Sequence, residues 1–375
     1  MSNSISYRVA FCLTAVLLAT STRSSLRAHA QASDDYFPTA DWRTSSPQDQ
    51  QLNKKVLKRL LKRIRNNTIG GIDSLLIARN GYLVTEEYFH GWGPDDLHTL
   101  QSDSKSVTSL LVGIAVQQGK ISGIDQTVLS FFPEYPKIRN VDERQSAITL
   151  RDLLTMRTGL DWGEDPYEGS PLFQLNNCRC DWLKFVLDWP MRETPGTRFE
   201  YNSGGVILLA GVIRNSTSIP TDAFAQRYLF DPLGITQVRW YYGEPDNLPH
   251  TGGGLNLRPR DMAKIGYLML RNGRWENQQI VSADWVREST SHAVKNPRTF
   301  AGRRVDYGYL WWLLSLNEEA GSHDRDADIY AAAGAQGQWI FIIPKYDMVV
   351  VSTGNTPYFD QAVGFLYSDI LPAVN

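Results

Sequence analysis

Strand-like hydrophobic periodicity is concentrated at the two ends of this chain, and helical periodicity fills its middle. In LNKKVLKRLLKRIR (52–65), Leu57, Leu60, Leu61 and Ile64 recur three and four residues apart. That spacing predicts a helix with one buried face and a solvated basic one. DSLLIAR (73–79) and YLVTEEYF (82–89) flank Asn80-Gly81, the strongest short hairpin signal. From about 103 to 290 the pattern turns helical. SVTSLLVGIAVQQ (106–118) ends at Gly119, and TLRDLLTM (149–156) opens with Thr149 and Asp152 at capping-box spacing. GVILLAGVI (205–213) and RDMAKIGYLML (260–270) carry helical spacing too, and Arg260-Asp261 reads as helix-start chemistry. Strand composition returns in YGYLWWLLS (307–315), QWIFIIP (338–344) and DMVVVSTG (347–354), before a last helix, QAVGFLYSDIL (361–371). Neither end can bury both faces of its strands alone. The pattern therefore predicts one antiparallel sheet built from both termini and flanked by helices, with a helical insert between them. The expected boundaries are 51–100 together with 301–375 for the sheet, and 101–300 for the insert. Residues 31–50, polar with prolines, read as an unpacked lead-in.

The first thirty residues change the arithmetic. Arg8 precedes the apolar run VAFCLTAVLLA (9–19), and Ala28-His29-Ala30 has the small-x-small form of a cleavage site. The run is too short to span a bilayer and suits a signal peptide, so export to a periplasmic or secreted location is expected. The 375-residue chain carries 38 bases and 40 acids. Without the leader, which holds three arginines and no acid, 35 bases face 40 acids at a net charge of −5. That balance speaks against a basic nucleic-acid face, the 42% hydrophobic content against disorder, and no second segment could span a membrane. Cys12 leaves with the leader, so Cys178 and Cys180 are the thiols of the mature chain. They make a poor disulfide framework and half of a zinc site, although a local bridge fits an oxidising compartment.

The six histidines (29, 90, 98, 250, 292 and 323) show no ligand spacing, and neither a nucleotide loop nor a G-x-S-x-G elbow is present. What remains is Ser102-Asp103-Ser104-Lys105 at the head of the most apolar helix. Serine and lysine three apart share a helix face. An amine there can take the hydroxyl proton if burial keeps it neutral, and the free N–H groups of a helix start favour an oxyanion. Of eleven lysines, Lys105 alone has serine at −3. On this ground alone, the pair reads equally well as a nucleophile with its base or as a surface lysine near a serine.

Six stretches in order alter that balance: LQSDSKSVTSLLVGIA (100–115), ITLRDLLTMRTGLDW (148–162), PGTRFEYNSGGVILLAGVI (195–213), GGGLNLRPRDMAKIGYLML (252–270), YGYLWW (307–312) and AAAGAQGQWIFIIP (331–344). Together they resemble the serine β-lactamase and penicillin-binding protein superfamily, in particular its class C-like branch of 6-aminohexanoate-dimer hydrolases and esterases. The resemblance spans about residues 70–370. It implies an α/β (α+β) sandwich with an all-helical domain, and the reaction of a serine hydrolase on a small amide or ester without metal or organic cofactor.

By that resemblance, Ser102 is the nucleophile, Lys105 its lysine, and Tyr201, in Tyr201-Asn202-Ser203, the phenol that relays the proton. Ser203 replaces a common Asn and would donate to a substrate carbonyl. The third motif falls on Ala332-Ala333-Gly334 and offers no cation for a substrate carboxylate, which speaks against β-lactams and peptidoglycan peptides. Gly334 would admit the substrate, and the N–H groups of Ser102 and Ala335 would form the oxyanion hole. The acidic, aromatic stretch 161–182 reads as a loop near the site, with Trp162, Tyr167 and Trp182 as candidates to line a pocket for an apolar chain. The alternatives are a β-lactamase or D-alanyl-D-alanine carboxypeptidase and, in another class, a non-catalytic ligand- or cell-wall-binding module of the same fold.

Overall fold

The computed structural model describes Met1 and residues 36–316 and 328–375. The expected leader, and residues 31–35 of the expected lead-in, lie outside the described residues. Helix α1 (Lys54–Arg65) is capped by the Asn53 side chain and buries Leu57, Leu60 and Ile64. Strands β1 (Ile72–Arg79) and β2 (Tyr82–Tyr88) form the hairpin at Asn80-Gly81. Both turn residues have positive φ (51° and 76°), the backbone of a type I′ turn, which glycine adopts without cost. There follow β3 (His98–Thr99), α2 (Asp103–Gln117), α3 (Leu150–Leu154), α4 (Pro171–Asn177), α5 (Trp182–Leu187) and α6 (Ser203–Thr217). Thr149 and Asp152 make the capping box of α3. Next come β4 (Arg239–Trp240), β5 (Leu255–Leu257) and α7 (Pro259–Leu270). The chain closes with β6 (Val294–Phe300), β7 (Arg303–Tyr307), β8 (Trp312–Leu314), β9 (Ile329–Gly334), β10 (Gln338–Ile343), β11 (Met348–Gly354) and α8 (Gln361–Phe365).

One eight-stranded antiparallel sheet, in the order β6-β7-β8-β9-β10-β11-β1-β2, unites the two ends of the chain. Both of its faces are covered, and alternation along β10 shows how. Ile340 points with Val349 of β11 at Gly266 of α7, whereas Trp339 and Phe341 stack 4.9 Å apart beside Phe300 and Phe359. Arg63 of α1 holds Asp369 through one nitrogen at 2.9 Å from each carboxylate oxygen, which fixes α1 to the C-terminal segment. A separate small sheet, β3-β5-β4, lies beside α2 and shapes the site. Helix α2 is buried on all sides from Asp103 to Ala115, its polar first half (DSKSVTS) as well as its apolar second half.

Three expectations change. YGYLWWLLS is two strands joined at 308–311, because Leu310 has φ 64° and the Gly308 N–H bonds the Trp311 carbonyl. Its turn residues Tyr309, Leu310 and Trp311 are buried, so their composition conceals the turn. The described part of the lead-in is packed: Phe37 and Trp42 are buried against Tyr267, and the Trp42 indole donates to the Arg260 carbonyl. β6, missed in the sequence, extends the sheet to Val294. Cys178 and Cys180 form a disulfide between α4 and α5. Among the described residues no helix is long and apolar enough to cross a membrane.

Candidate active site

Ser102 is delivered by a tight turn at the edge of the small sheet. β3 pairs with β5, the Leu100 N–H bonds the Leu255 carbonyl at 2.8 Å, and Gln101 takes φ 47° before α2 begins. The Ser104 hydroxyl fastens this left-handed residue by donating to the Gln101 carbonyl at 2.7 Å, and accepts from the Leu255 N–H at 3.2 Å. A non-glycine residue held at positive φ by such fastening is a feature of functional turns. One turn further, Lys105 is 1% exposed. Its Nζ donates to Ser102 Oγ at 3.0 Å and to the Gly252 carbonyl at 2.5 Å.

Tyr201 closes on the lysine from the start of α6. Lys105 Nζ lies 4.7 Å from the centroid of its ring, Arg298 of β6 lies 5.1 Å from the same centroid, and Trp312 is stacked on it. The tyrosine is placed by Asn202, which caps α6 by accepting from the Gly205 N–H at 2.7 Å and donates to Thr158 at 3.2 Å. Ser203 gives its N–H (2.5 Å) and hydroxyl (3.1 Å) to the Glu164 carboxylate, which also accepts from the Trp162 indole at 2.7 Å.

Beside Ser102 opens a cavity of about 890 Å³, with Ser203, Glu164, His250, Arg239, Asn256 and Ala335 on its wall. Burial pushes the His250 imidazole down to about 4, helped by the positive charge of Lys105, so it is neutral near pH 7. Its Nε2 lies 3.1 Å from Asn176 Oδ1. Asp103, fully buried with neither oxygen hydrogen-bonded, is pushed well above the usual carboxylate range by burial, and Lys105 opposes this only in part. No group of three or more His, Cys, Asp or Glu side chains converges as a metal site among the described residues.

Ser102, Lys105 and Tyr201 thus come together, and Ser203 and Ala335, both distant from Ser102 in sequence, line the same cavity as Ser102. Lys105 and Tyr201 are not on the cavity wall and stand behind Ser102. Two expected substrate contacts are corrected. Trp162 is fully buried, packed over Gly204 and edge-on to Phe185 and Trp189, so it supports Glu164 and does not line the cavity. Gly334 is buried where the end of β9 meets the nucleophile turn, and a Cβ there would overlap the Leu100 carbonyl oxygen. Its smallness serves that approach and not substrate entry. Tyr167 reaches the cavity, while Trp182 packs behind His250 at 5.2 Å. Glu164, Asn176, Arg239 and His250 were not singled out from the sequence. The only local signals were the acidic loop around Glu164 and the glycine run that follows His250.

Comparison with known proteins places the chain in a family and a fold. The chain matches the Beta-lactamase family over residues 59–371. It is 24% identical over 300 residues to 6-aminohexanoate-dimer hydrolase of Paenarthrobacter ureafaciens, covering 76% of this chain and 73% of that one. In structure it is similar to a hydrolase with promiscuous acyltransferase activity (TM-score 0.70, 19% identity, 86% of this chain and 100% of that chain). It is also similar to the octameric penicillin-binding protein homologue from Pyrococcus abyssi (TM-score 0.64, 19% identity, 86% and 77%). The match over most of its length shows that the chain belongs to the Beta-lactamase family.

Proposed function

We propose that this β-lactamase-fold hydrolase is an exported serine amidase or esterase that works through an acyl-enzyme on Ser102. The observation that carries the reading is the 3.0 Å contact between Lys105 Nζ and Ser102 Oγ at the wall of a cavity large enough for a small substrate. In the free-amine form of Lys105, Nζ takes the proton of Ser102 Oγ as the oxygen attacks the substrate carbonyl, and Tyr201 shares that proton. The N–H groups of Ser102 and Ala335 receive the oxyanion. Collapse of the tetrahedral intermediate breaks the amide or ester bond, and the leaving group takes the proton from Tyr201. Water then repeats the attack on the acyl group and frees Ser102. The Gly252 carbonyl orients the lysine throughout. Because Ala332-Ala333-Gly334 supplies no cation, linear amides and short esters suit the site better than β-lactams.

Ser102→Ala is expected to lower kcat by about 10⁴ or more on p-nitrophenyl esters, with an unchanged circular dichroism spectrum and Tm. A fluorophosphonate should label the wild type at Ser102 and leave the variant unlabelled. Retained turnover in the variant would overturn the reading. A panel of p-nitrophenyl esters, 6-aminohexanoate oligomers and nitrocefin sorts the substrate classes, and nitrocefin turnover matching that of good esters would favour a β-lactamase.

A further inference from the structure

We propose that Arg239 is a carboxylate-recognition residue of this cavity, so that the preferred amide or ester carries an anionic group remote from the bond to be cleaved. The inference rests on the acyl-enzyme reading for which bond is cleaved, but not for the binding it describes. Among the described residues, the cavity wall holds one acidic side chain, Glu164, and one basic side chain, Arg239, beside the neutral His250. Glu164 is already occupied by the N–H and hydroxyl of Ser203 and by the Trp162 indole. Arg239 is not. Its guanidinium donates to Asn256 Oδ1 at 3.2 Å, and among the described residues no carboxylate pairs with it. A guanidinium has five N–H donors, and two parallel ones match a carboxylate.

Arg239 is exposed to solvent on the cavity wall, and its neighbours fix where it stands. The Asn256 side chain grips Arg239 from both ends, accepting from the guanidinium and donating to the Arg239 carbonyl at 3.3 Å. Thr99, Asn256 and Arg239 lie in register across β3, β5 and β4, and all three line the cavity. Neighbouring strands are about 4.8 Å apart, so the Arg239 backbone is roughly 10 Å from Thr99. Thr99 leads through Leu100 and Gln101 directly to Ser102. One small sheet therefore fixes both the nucleophile turn and the cation. A short aliphatic chain would span from a carbonyl at Ser102 to a carboxylate at Arg239. The position also differs from Ala332-Ala333-Gly334, where a carboxylate close to the reacting carbonyl would have to bind.

The test uses the full chain with R239A and R239K, alone and on S102A. Two esters of equal reach are compared, p-nitrophenyl hexanoate and mono-p-nitrophenyl adipate, which differ in a terminal carboxylate. R239A should lower kcat/KM for the adipate ester roughly ten- to a hundredfold more than for the hexanoate ester, through KM. R239K should recover part of the loss, and 0.5 M salt should shrink the preference. Calorimetric titration of adipate into S102A and S102A/R239A decides the proposal without turnover: affinity should fall by a similar factor in the double variant. No adipate binding to S102A, or binding that R239A leaves unchanged, overturns the proposal, as does an equal loss on both esters. Hydrolysis persisting in S102A would instead overturn the serine mechanism, while the titration still decides the role of Arg239.

Discussion

Asp103 sits between the proposed nucleophile and its lysine in sequence, yet its carboxyl is fully buried without a hydrogen-bond partner. Burial raises its pKa well above the ordinary 3.8. The unfolded chain releases this proton near pH 4 and the folded protein keeps it, so the folded state is progressively disfavoured as pH rises from there towards the raised folded value. Asp103→Asn has no proton to lose. Its Tm relative to wild type should therefore climb between pH 4 and pH 8, and a difference that stays flat would refute the protonated carboxyl. The residues of this site were legible in the sequence to different degrees for a physical reason. Ser102 and Lys105 meet because three residues on a helix is a local relation, readable from spacing. Glu164, His250 and Arg239 reach the cavity through tertiary folding alone, which spacing does not encode. Trp162 was misplaced because aromatic composition cannot distinguish a pocket wall from a packed core.

Among the elements, hairpins and caps were legible, since Asn80-Gly81 and Thr149/Asp152 act over a few residues. The turn at 308–311 was not, because it folds into the core and keeps core composition. The junction of β9 with the nucleophile turn gives a prediction at this scale. A methyl at Gly334 would overlap the Leu100 carbonyl oxygen and come within 3.1 Å of the Gln101 Cβ, both in the turn that aims Ser102. Gly334→Ala should cost about 1–3 kcal/mol of stability and lower kcat/KM on a p-nitrophenyl ester roughly a hundredfold by misplacing the nucleophile. Gly364→Ala, in α8 with nothing within 4 Å of its added Cβ, is the control and should leave activity unchanged. Thermal melts alongside the ester assay check both. Full activity in Gly334→Ala would mean that the strand end does not position the turn.

At the scale of the molecule, the sheet joins β1 to β11 across most of the chain, and the helices that carry the nucleophile and tyrosine motifs lie between those strands in sequence. Anything that loosens the packing around the site therefore loosens the whole fold, and two buried histidines offer a way to do so with pH. His98, its ring tilted against Trp92 at 3.9 Å, and His250, on the cavity wall, are both pushed down to about 4 from 6.5, chiefly by burial. In the unfolded chain each takes up a proton near 6.5, whereas in the folded protein each resists until about 4. Their stabilisation is thus complete above pH 6.5 and is lost as pH falls towards 4, by roughly 3 kcal/mol per histidine. The Asp103 contribution runs in the opposite direction, so the informative measurement is a difference between variants and not the raw curve. Urea unfolding of wild type and His98→Gln at pH 7 and pH 5 supplies it. The loss of stability on acidification should be smaller in His98→Gln by about 2 kcal/mol, the part of the His98 contribution that falls between 6.5 and 5. An equal loss in both proteins would show that His98 takes up its proton in the folded state as readily as in the unfolded chain, and the burial argument for it would fail.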